Sequence, residues 1–231
     1  MAEQLRHVIV VVPARDEAET LRACMQSIER ARRAIDGVVQ VHTVLVLDTC
    51  TDNSASVAGE FGDTTVLSVR FANVGKSRAR GVAYGLRRIG DDPAAVWIAT
   101  TDADSVVADG WLREHVRAFR SGADAFVGSV VPLLDDLDES RRRAWLASHS
   151  PGSTLGHVHG ANLGIRADAY LAAGGFTARK REEDVSLVHK LRRTNARIMH
   201  SEREPVTTSS RLVGRVEGGY AQYLTDLVPR G

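Results

Sequence analysis

Residues 8–12 read Val-Ile-Val-Val-Val, a continuous β-branched run halted by Pro13. A run without alternation predicts a strand buried on both faces, the kind that parallel sheets contain. Leu21, Met25 and Ile28 then recur at helical spacing with Arg22, Glu29 and Arg30 off that face, which predicts an amphipathic helix. Residues 38–47 predict a second strand, and Asp52 or Asn53 can cap a helix after it. A third strand follows at 65–69. Residues 77–89 form a further helix, with Ala79, Val82, Ala83 and Leu86 as its apolar stripe. A fourth strand at 94–99 runs out into Thr100-Thr101-Asp102-Ala103-Asp104.

Strand–helix alternation implies right-handed crossovers, hence an α/β chain with a parallel sheet covered by helices. Polar residues gather behind the strands: Arg15-Asp16-Glu17, Asp48-Thr49-Cys50, Asn73 and Asp102. They are therefore expected along the carboxyl edge of one sheet, where open α/β sheets bind ligands. The second half is less regular. Helices are predicted at 111–119, 138–147, 168–173 and 183–193, and strands at 125–131, 162–165 and near Ile198. Residues 149–156 make a Ser/Pro/Gly-rich loop, the best candidate for a mobile segment. The pattern gives no element after Tyr220. No repeat or compositional break marks a linker. One domain, 1–231, is expected, with a first lobe at 1–104 and a second at 105–231.

Composition narrows the class. With 43% hydrophobic and 26% charged residues the chain is an ordinary globular one. A net charge of +1 gives no field that would favour nucleic acid as the partner. Cys24 and Cys50 lack metal-site spacing, and a reducing compartment suits them. The amino terminus has no apolar signal segment, and no apolar run approaches the roughly 20 residues of a membrane-spanning helix. A cytoplasmic protein is expected, with peripheral membrane contact left open.

Chemistry enters at Asp102 and Asp104. Two carboxylates one residue apart, leaving a buried strand, need a cation or hydrogen-bonded partners to tolerate each other. Mg²⁺ or Mn²⁺ suits them, since hard cations take oxygen ligands and leave room for phosphate oxygens. The alternative is a solvated turn. Gly160-Ala161-Asn162-Leu163-Gly164 places glycines in a strand, which marks close approach of a ligand or of backbone, while Gly174-Gly175 fits ordinary turn chemistry. Glu182-Glu183-Asp184 opens a helix, where the dipole favours acids. A carboxylate there could equally act as a general base. Lys76, Arg78 and Arg80 start another helix, either to meet a pyrophosphate or as a solvated basic face. His157 and His159 flank the glycine segment.

These segments, in order, resemble the family 2 glycosyltransferases, from about Val8 to Gly219. Val10 to Glu17 is similar to that family's first strand and "P-x-x-N-E" turn, with Asp16 where Asn is usual. Val46 to Asp52 resembles "V-D-D-x-S-x-D", and Asn73 to Gly81 resembles "N-x-G-x-x-x-A-x-N-x-G". Asp102-Ala103-Asp104 stands for D-x-D, Gly174-Gly175-Phe176 for "G-G-F", and Glu183-Asp184 for "E-D".

The resemblance implies a GT-A fold, a Rossmann-like nucleotide-diphospho-sugar transferase with a mostly parallel central sheet flanked by helices. It implies a UDP- or GDP-sugar donor, a divalent Mg²⁺ or Mn²⁺, and a small-molecule or lipid-linked acceptor. Pro13, Ala14, Arg15, Glu17 and Asp48 would line the base and ribose pocket, with Lys76 near the base or phosphates. Asp102 would lie near ribose and metal, and Asp104 would bind the cation. Asp184 would be the base of an inverting displacement. Gly160, Ala161, Asn162 and Glu183 would border the sugar and acceptor, and Arg211 and Arg215 a late acceptor or phosphate segment.

Asp16 and Cys50 depart from the family pattern, and "Q-x-x-R-W" is missing, so the resemblance to processive synthases is poor. Residues 133–156 resemble an insertion that could form an acceptor lid. Four other readings compete. A retaining GT-A transferase would not use Asp184 as base. A sugar nucleotidyltransferase needs a glycine-rich loop after the first strand, and an oxidoreductase needs G-x-G-x-x-G there. Pro13-Ala14-Arg15-Asp16-Glu17 supplies neither. The acidic triplet and Asp184 argue against a catalytically silent binding module.

Overall fold

The β-branched run forms the spine of the sheet: Val8 through Val12 have no exposed surface. The computed structural model describes residues 4–150, 152, 157–179, 181–214 and 219–228. In chain order the first half holds β1 (His7–Ala14), α1 (Ala18–Arg33), β2 (Gln40–Asp48), α2 (Ser54–Ala58), β3 (Thr64–Val69), α3 (Val74–Ile89) and β4 (Val96–Thr100). The second half holds β5 (Ser105–Val106), α4 (Trp111–Arg120), β6 (Ala125–Pro132), α5 (Glu139–Ser148), β7 (Leu163–Arg166), α6 (Ala167–Ala172), α7 (Glu183–Arg193), β8 (Ile198–Thr208) and α8 (Tyr220–Asp226).

One sheet runs through both halves in the order β3-β2-β1-β4-β7-β6-β8-β5. The pairs β3·β2, β2·β1 and β1·β4 are parallel, as strand–helix alternation requires. Beyond β4 the sheet is mixed: β7 is antiparallel to both β4 and β6, β6·β8 is parallel, and β5·β8 is antiparallel. Alternate residues of β1 enter two cores. Val8, Val10 and Val12 join Leu21, Met25 and Ile28 of α1, whereas Ile9 and Val11 join Val82 of α3 and Leu187, Val188 and Leu191 of α7. Each such buried side chain contributes about 1.5–3 kcal/mol. α3 lies directly on the sheet, because a Cβ on Gly81 would stand 2.5 Å from Val11 Cγ1 and one on Gly85 would stand 2.7 Å from Ile9 Cγ2.

Several boundaries differ from the sequence pattern for local reasons. β1 continues through Pro13 to Ala14, since a proline in the last positions gives up only one ladder donor. α3 begins at Val74 because the Asn73 side chain accepts from Lys76 N at 2.9 Å. Residues Gly160–Asn162 form a single 3₁₀ turn ahead of β7. β8 is eleven residues long rather than short. Its charges at Glu202, Arg203 and Glu204 hide it, and a register shift opposite Gly128/Val130 breaks its alternation. α8, which no sequence pattern marks, buries Ala221 and Leu224. Leu224 joins Leu137 and Trp145 in a small satellite core under α5. No helix among the described residues is long and apolar enough to cross a membrane.

The first core contains one polar residue that bears on stability. His115 has no exposed surface, accepts from Trp97 Nε1 through Nδ1 at 3.0 Å, and meets Trp111 and Phe126 edge-on. Burial pushes its pKa down to about 3. Unfolded, it would titrate near 6.5. Between those values the unfolded chain binds a proton that the folded protein refuses. Above pH 6.5 the residue has no effect, and below it stability declines by about 1.4 kcal/mol per pH unit. His115→Gln keeps an acceptor for Trp97 without titrating. Urea unfolding from pH 7 to 4.5 should therefore show a shallower acid decline in the variant, and parallel curves would refute this account.

Candidate active site

The carboxyl ends of β1, β2 and β4 open on a cavity of about 580 Å³. Pro13, Ala14, Arg15, Glu17, Asp48, Asp102 and Asp104 line one side, and Gly160, Ala161, Glu183, Asp184 and Arg211 the other. A wider recess of about 810 Å³ sits by the amino ends of β1 and β2, among Arg6, Arg32, Arg33, Asp36 and Asp63. None of the carboxylates singled out by the motifs reaches it, so the smaller cavity is where the chemistry converges.

The floor is built by carboxylates fastening loops. Asp48, at the end of β2, accepts from Phe71 N at 2.7 Å, Ala72 N at 2.8 Å, Asn73 N at 2.9 Å and Ser77 Oγ at 2.8 Å. Burial works to raise its pKa, but these hydrogen bonds outweigh burial and lower it. Both oxygens are thereby engaged in shaping the β3–α3 turn. Asp16, at a positive φ of 54°, accepts from Thr51 N at 2.6 Å and Asp52 N at 3.2 Å, and Asp52 accepts from Ala18 N at 2.9 Å. These bonds stitch the turns after β1 and β2 together. Asp16, Cys50 and Asp52 have potential ligand atoms within 4.8 Å of one another. Their carboxylates serve backbone amides, however, and burial raises the Cys50 thiol, which suits a structural turn.

Behind β4, Asp102 and Asp104 meet different cations. Arg78 of α3 is 4% exposed, and its Nη2 donates to Asp102 Oδ1 at 2.5 Å while Nη1 pairs with Glu183 Oε1. Burial alone would lower the Arg78 pKa, but Asp102, Glu183 and Asp184 outweigh it and hold the guanidinium charged. Gly160 packs on the guanidinium, where a Cβ would stand 2.4 Å from Arg78 Cζ. The same glycine donates its N–H to Asp184 Oδ2 at 2.6 Å, and Val185 N donates to Asp184 Oδ1 at 2.7 Å. Asp104 pairs with Arg211 Nη2 at 2.8 Å, and Arg211 Nη1 reaches Glu17 at 2.8 Å. Burial, and after it the charge of Asp102, push the Asp104 carboxyl up to about 6 against the pull of Arg211.

Among the ion pairs of the described residues, this part of the cavity holds more carboxylates than guanidiniums. Asp102 Oδ2 has no protein partner among the described residues, and the Asp102 side chain is 35% exposed. An all-oxygen donor set with excess negative charge fits a hard divalent cation.

Other expected residues sit differently. Lys76 is exposed and does not line the cavity. Asn162 has no exposed surface and is pinned between Trp111 Nε1 at 2.9 Å and Ser129 O at 2.9 Å, so its amide braces the core. The Glu183 carboxylate is turned to Arg78. Arg215 lies outside the described residues, as does most of the expected mobile loop at 149–156.

Sequence reasoning passed over Arg78 as one of three basic residues, and it noted His159 only as a flank of the glycine segment, without Tyr220 and Tyr223, which join it in the far wall. The His159 and Tyr220 rings stand 5.8 Å apart, and burial lowers the His159 pKa against the pull of Asp184. A usable signal for Arg78 was its helical spacing from Gly75 and Gly81, which puts it on the sheet-facing side of α3.

Residues 9–182 match the sequence model described as glycosyl transferase family 2. No curated protein matches the chain in sequence. Among solved structures, S. aureus TarS 1–349 superposes with a TM-score of 0.65 at 13% identity, over 88% of this chain and 60% of that one. Mannosyltransferase PcManGT from Pyrobaculum calidifontis, in complex with GDP-Man and Mn²⁺, gives 0.59 at 20% identity over 87% and 56%. Glucosyl-3-phosphoglycerate synthase from Mycobacterium tuberculosis, with Mn²⁺, UDP and phosphoglyceric acid, gives 0.60 at 17% over 88% and 70%. The chain thus spans less than two thirds of the first two. At such identities the likeness is one of fold, and the fold is GT-A.

The raised Asp104 pKa has a measurable consequence. Below pH 4 the group is protonated whether folded or not. Between about 4 and 6 only the folded protein keeps the proton, so stability falls as pH rises, and above pH 6 the buried charge costs about 1–3 kcal/mol. Asp104→Asn should make the metal-free protein more stable in urea at pH 7.5, with the advantage shrinking toward pH 4. A variant less stable than wild type at pH 7.5 would contradict this reading.

Proposed function

The chain belongs to glycosyl transferase family 2 and is a glycosyltransferase, and on that premise we propose that it moves a sugar from a UDP- or GDP-linked donor to an acceptor hydroxyl with inversion. One observation carries the reading. A single cavity holds an acidic pair, Asp102 and Asp104, whose buried member has its pKa raised, and a separate carboxylate, Asp184, whose oxygens each accept one backbone N–H and keep capacity for another partner. The complexes of similar fold with UDP or GDP-Man and Mn²⁺ support a donor of that class.

Pro13, Ala14 and Arg15 would bound the base, on a floor whose shape Asp48 fixes through the loop at 71–73. Asp104, with the open oxygen of Asp102, would hold Mg²⁺ or Mn²⁺, which when bound neutralises charge on the departing nucleoside diphosphate. Arg211, tied to Glu17, supplies a second positive charge at the same end. Asp184 takes the proton of the acceptor hydroxyl as it attacks, and the Gly160 amide keeps the carboxylate aimed into the cavity. His159, Tyr220 and Tyr223 border the route by which an acceptor enters, and α5 with α8 would cover it as a lid. The acceptor on this reading is a small or lipid-linked alcohol. Lys76 would act from the rim, outside the cavity. Catalysis in the cytoplasm, with peripheral membrane contact where the acceptor is lipid-linked, suits the two free thiols.

A thermal-shift panel of nucleotide sugars with and without Mn²⁺ tests the donor half. UDP- or GDP-sugars should raise the melting midpoint only with metal, and Asp104→Ala should abolish the shift. If no nucleotide raises the midpoint, the donor site is wrong. Asp184→Asn should keep nucleotide binding and lose about 10²–10⁴ in turnover. A product with retained anomeric configuration removes Asp184 from the role of base, and binding without turnover on any acceptor favours a silent module.

A further inference from the structure

Arg78 joins the two ends of the cavity. Its guanidinium is 4% exposed and contacts two carboxylates from different halves of the chain, Asp102 behind β4 and Glu183 at the start of α7. Gly160 covers its face, and the Phe176 ring centroid is 5.8 Å from Cζ. With those walls the guanidinium cannot follow one carboxylate away from the other. One positive charge is therefore divided between two negative ones. Asp102, which lines the cavity, pairs with Arg78 through Oδ1, and its side chain is 35% exposed against 6% for Glu183.

We propose that Glu183 is a positioning residue that sets the cation affinity of Asp102 by neutralising Arg78. This rests on the donor-site reading, in which Asp102 and Asp104 face a divalent cation. With Glu183 ionised, Arg78 is satisfied on its far side and Asp102 keeps enough negative charge for a second positive partner. Without the Glu183 charge, the whole of Arg78 falls on Asp102. The guanidinium then competes with the cation for the same carboxylate and also repels it directly, because charges a few ångströms apart interact strongly in a partly buried site. Glu183 thus acts on the metal without touching it. Asp184, the adjacent residue, adds its field to that of the two carboxylates around Arg78, but its oxygens are bound to backbone amides and make no ion pair with the guanidinium.

The test measures Mn²⁺ binding from the electron paramagnetic resonance signal of the free ion, in separate titrations with saturating UDP and saturating GDP. Glu183→Gln, which keeps the shape and removes the charge, should weaken Mn²⁺ binding on the order of tenfold. Glu183→Asp, which keeps the charge one methylene further back, should fall between that variant and wild type. The decisive arm is Arg78→Gln with Glu183→Gln together, because removing both charges should restore binding to within about threefold of wild type. A residue that merely anchors α7 would make the double variant as weak as the single one or weaker, and that result overturns the inference. So does a Glu183→Gln protein that binds Mn²⁺ as wild type does. Absence of nucleotide-dependent Mn²⁺ binding in wild type removes the donor site itself, and the inference with it.

Discussion

Val8 to Val12 touch no water on either face, because α1 and α4 cover one side of the sheet while α3 and α7 cover the other. A strand so enclosed has no position along its length for a charged side chain. Polar residues are admitted only where the strand emerges, and β1, β2 and β4 emerge together because they run parallel. The same constraint holds α3 close. Gly81 and Gly85 let its backbone rest on Val11 and Ile9, and this carries Arg78 beneath the strand ends, where Asp102 meets it.

The charges gathered at that edge fall into two kinds. Asp48, Asp16 and Asp52 are consumed by backbone amides, and their work is to fix the shape of the floor. Asp102, Asp104, Glu183 and Glu17 instead meet two guanidiniums, Arg78 and Arg211, so among the ion pairs of the described residues carboxylates outnumber cations there. A site built for stability alone would balance that excess. Binding sites for cations commonly retain it, at the expense of the empty protein's stability.

The first half was legible in the sequence because its signals are local: β-branched runs mark fully buried strands, and the apolar stripes of α1 and α3 recur at helical spacing. The second half depends on partners far along the chain. β8 carries Glu202, Arg203 and Glu204 and changes register midway, so no single period describes it. α8 holds its place through Leu224 against Leu137 and Trp145, a contact that no local pattern encodes. In the site, residue type was readable and direction was not. Lys76 and Arg78 are two positions apart on one helix, yet one is exposed and the other is buried under Gly160. Asn162 has the chemistry of a substrate contact and spends it on Trp111 and Ser129. Glu183 and Asp184 are neighbours, but one turns to a guanidinium and the other to an amide.

The contact between Arg211 and Glu17 closes a loop of 194 residues. Synthesis on the ribosome delivers Glu17 and Asp104 long before the residue that tethers them. An emerging chain of β1 to β4 therefore carries its acidic edge with the Arg211 counter-cation still unmade. Self-repulsion would keep the Glu17 and Asp104 side chains apart until β8 has threaded in beside β6, and the segment after it has brought Arg211 back. The order of translation itself thus delays the mature form of the pocket until the segment after β8 has been made.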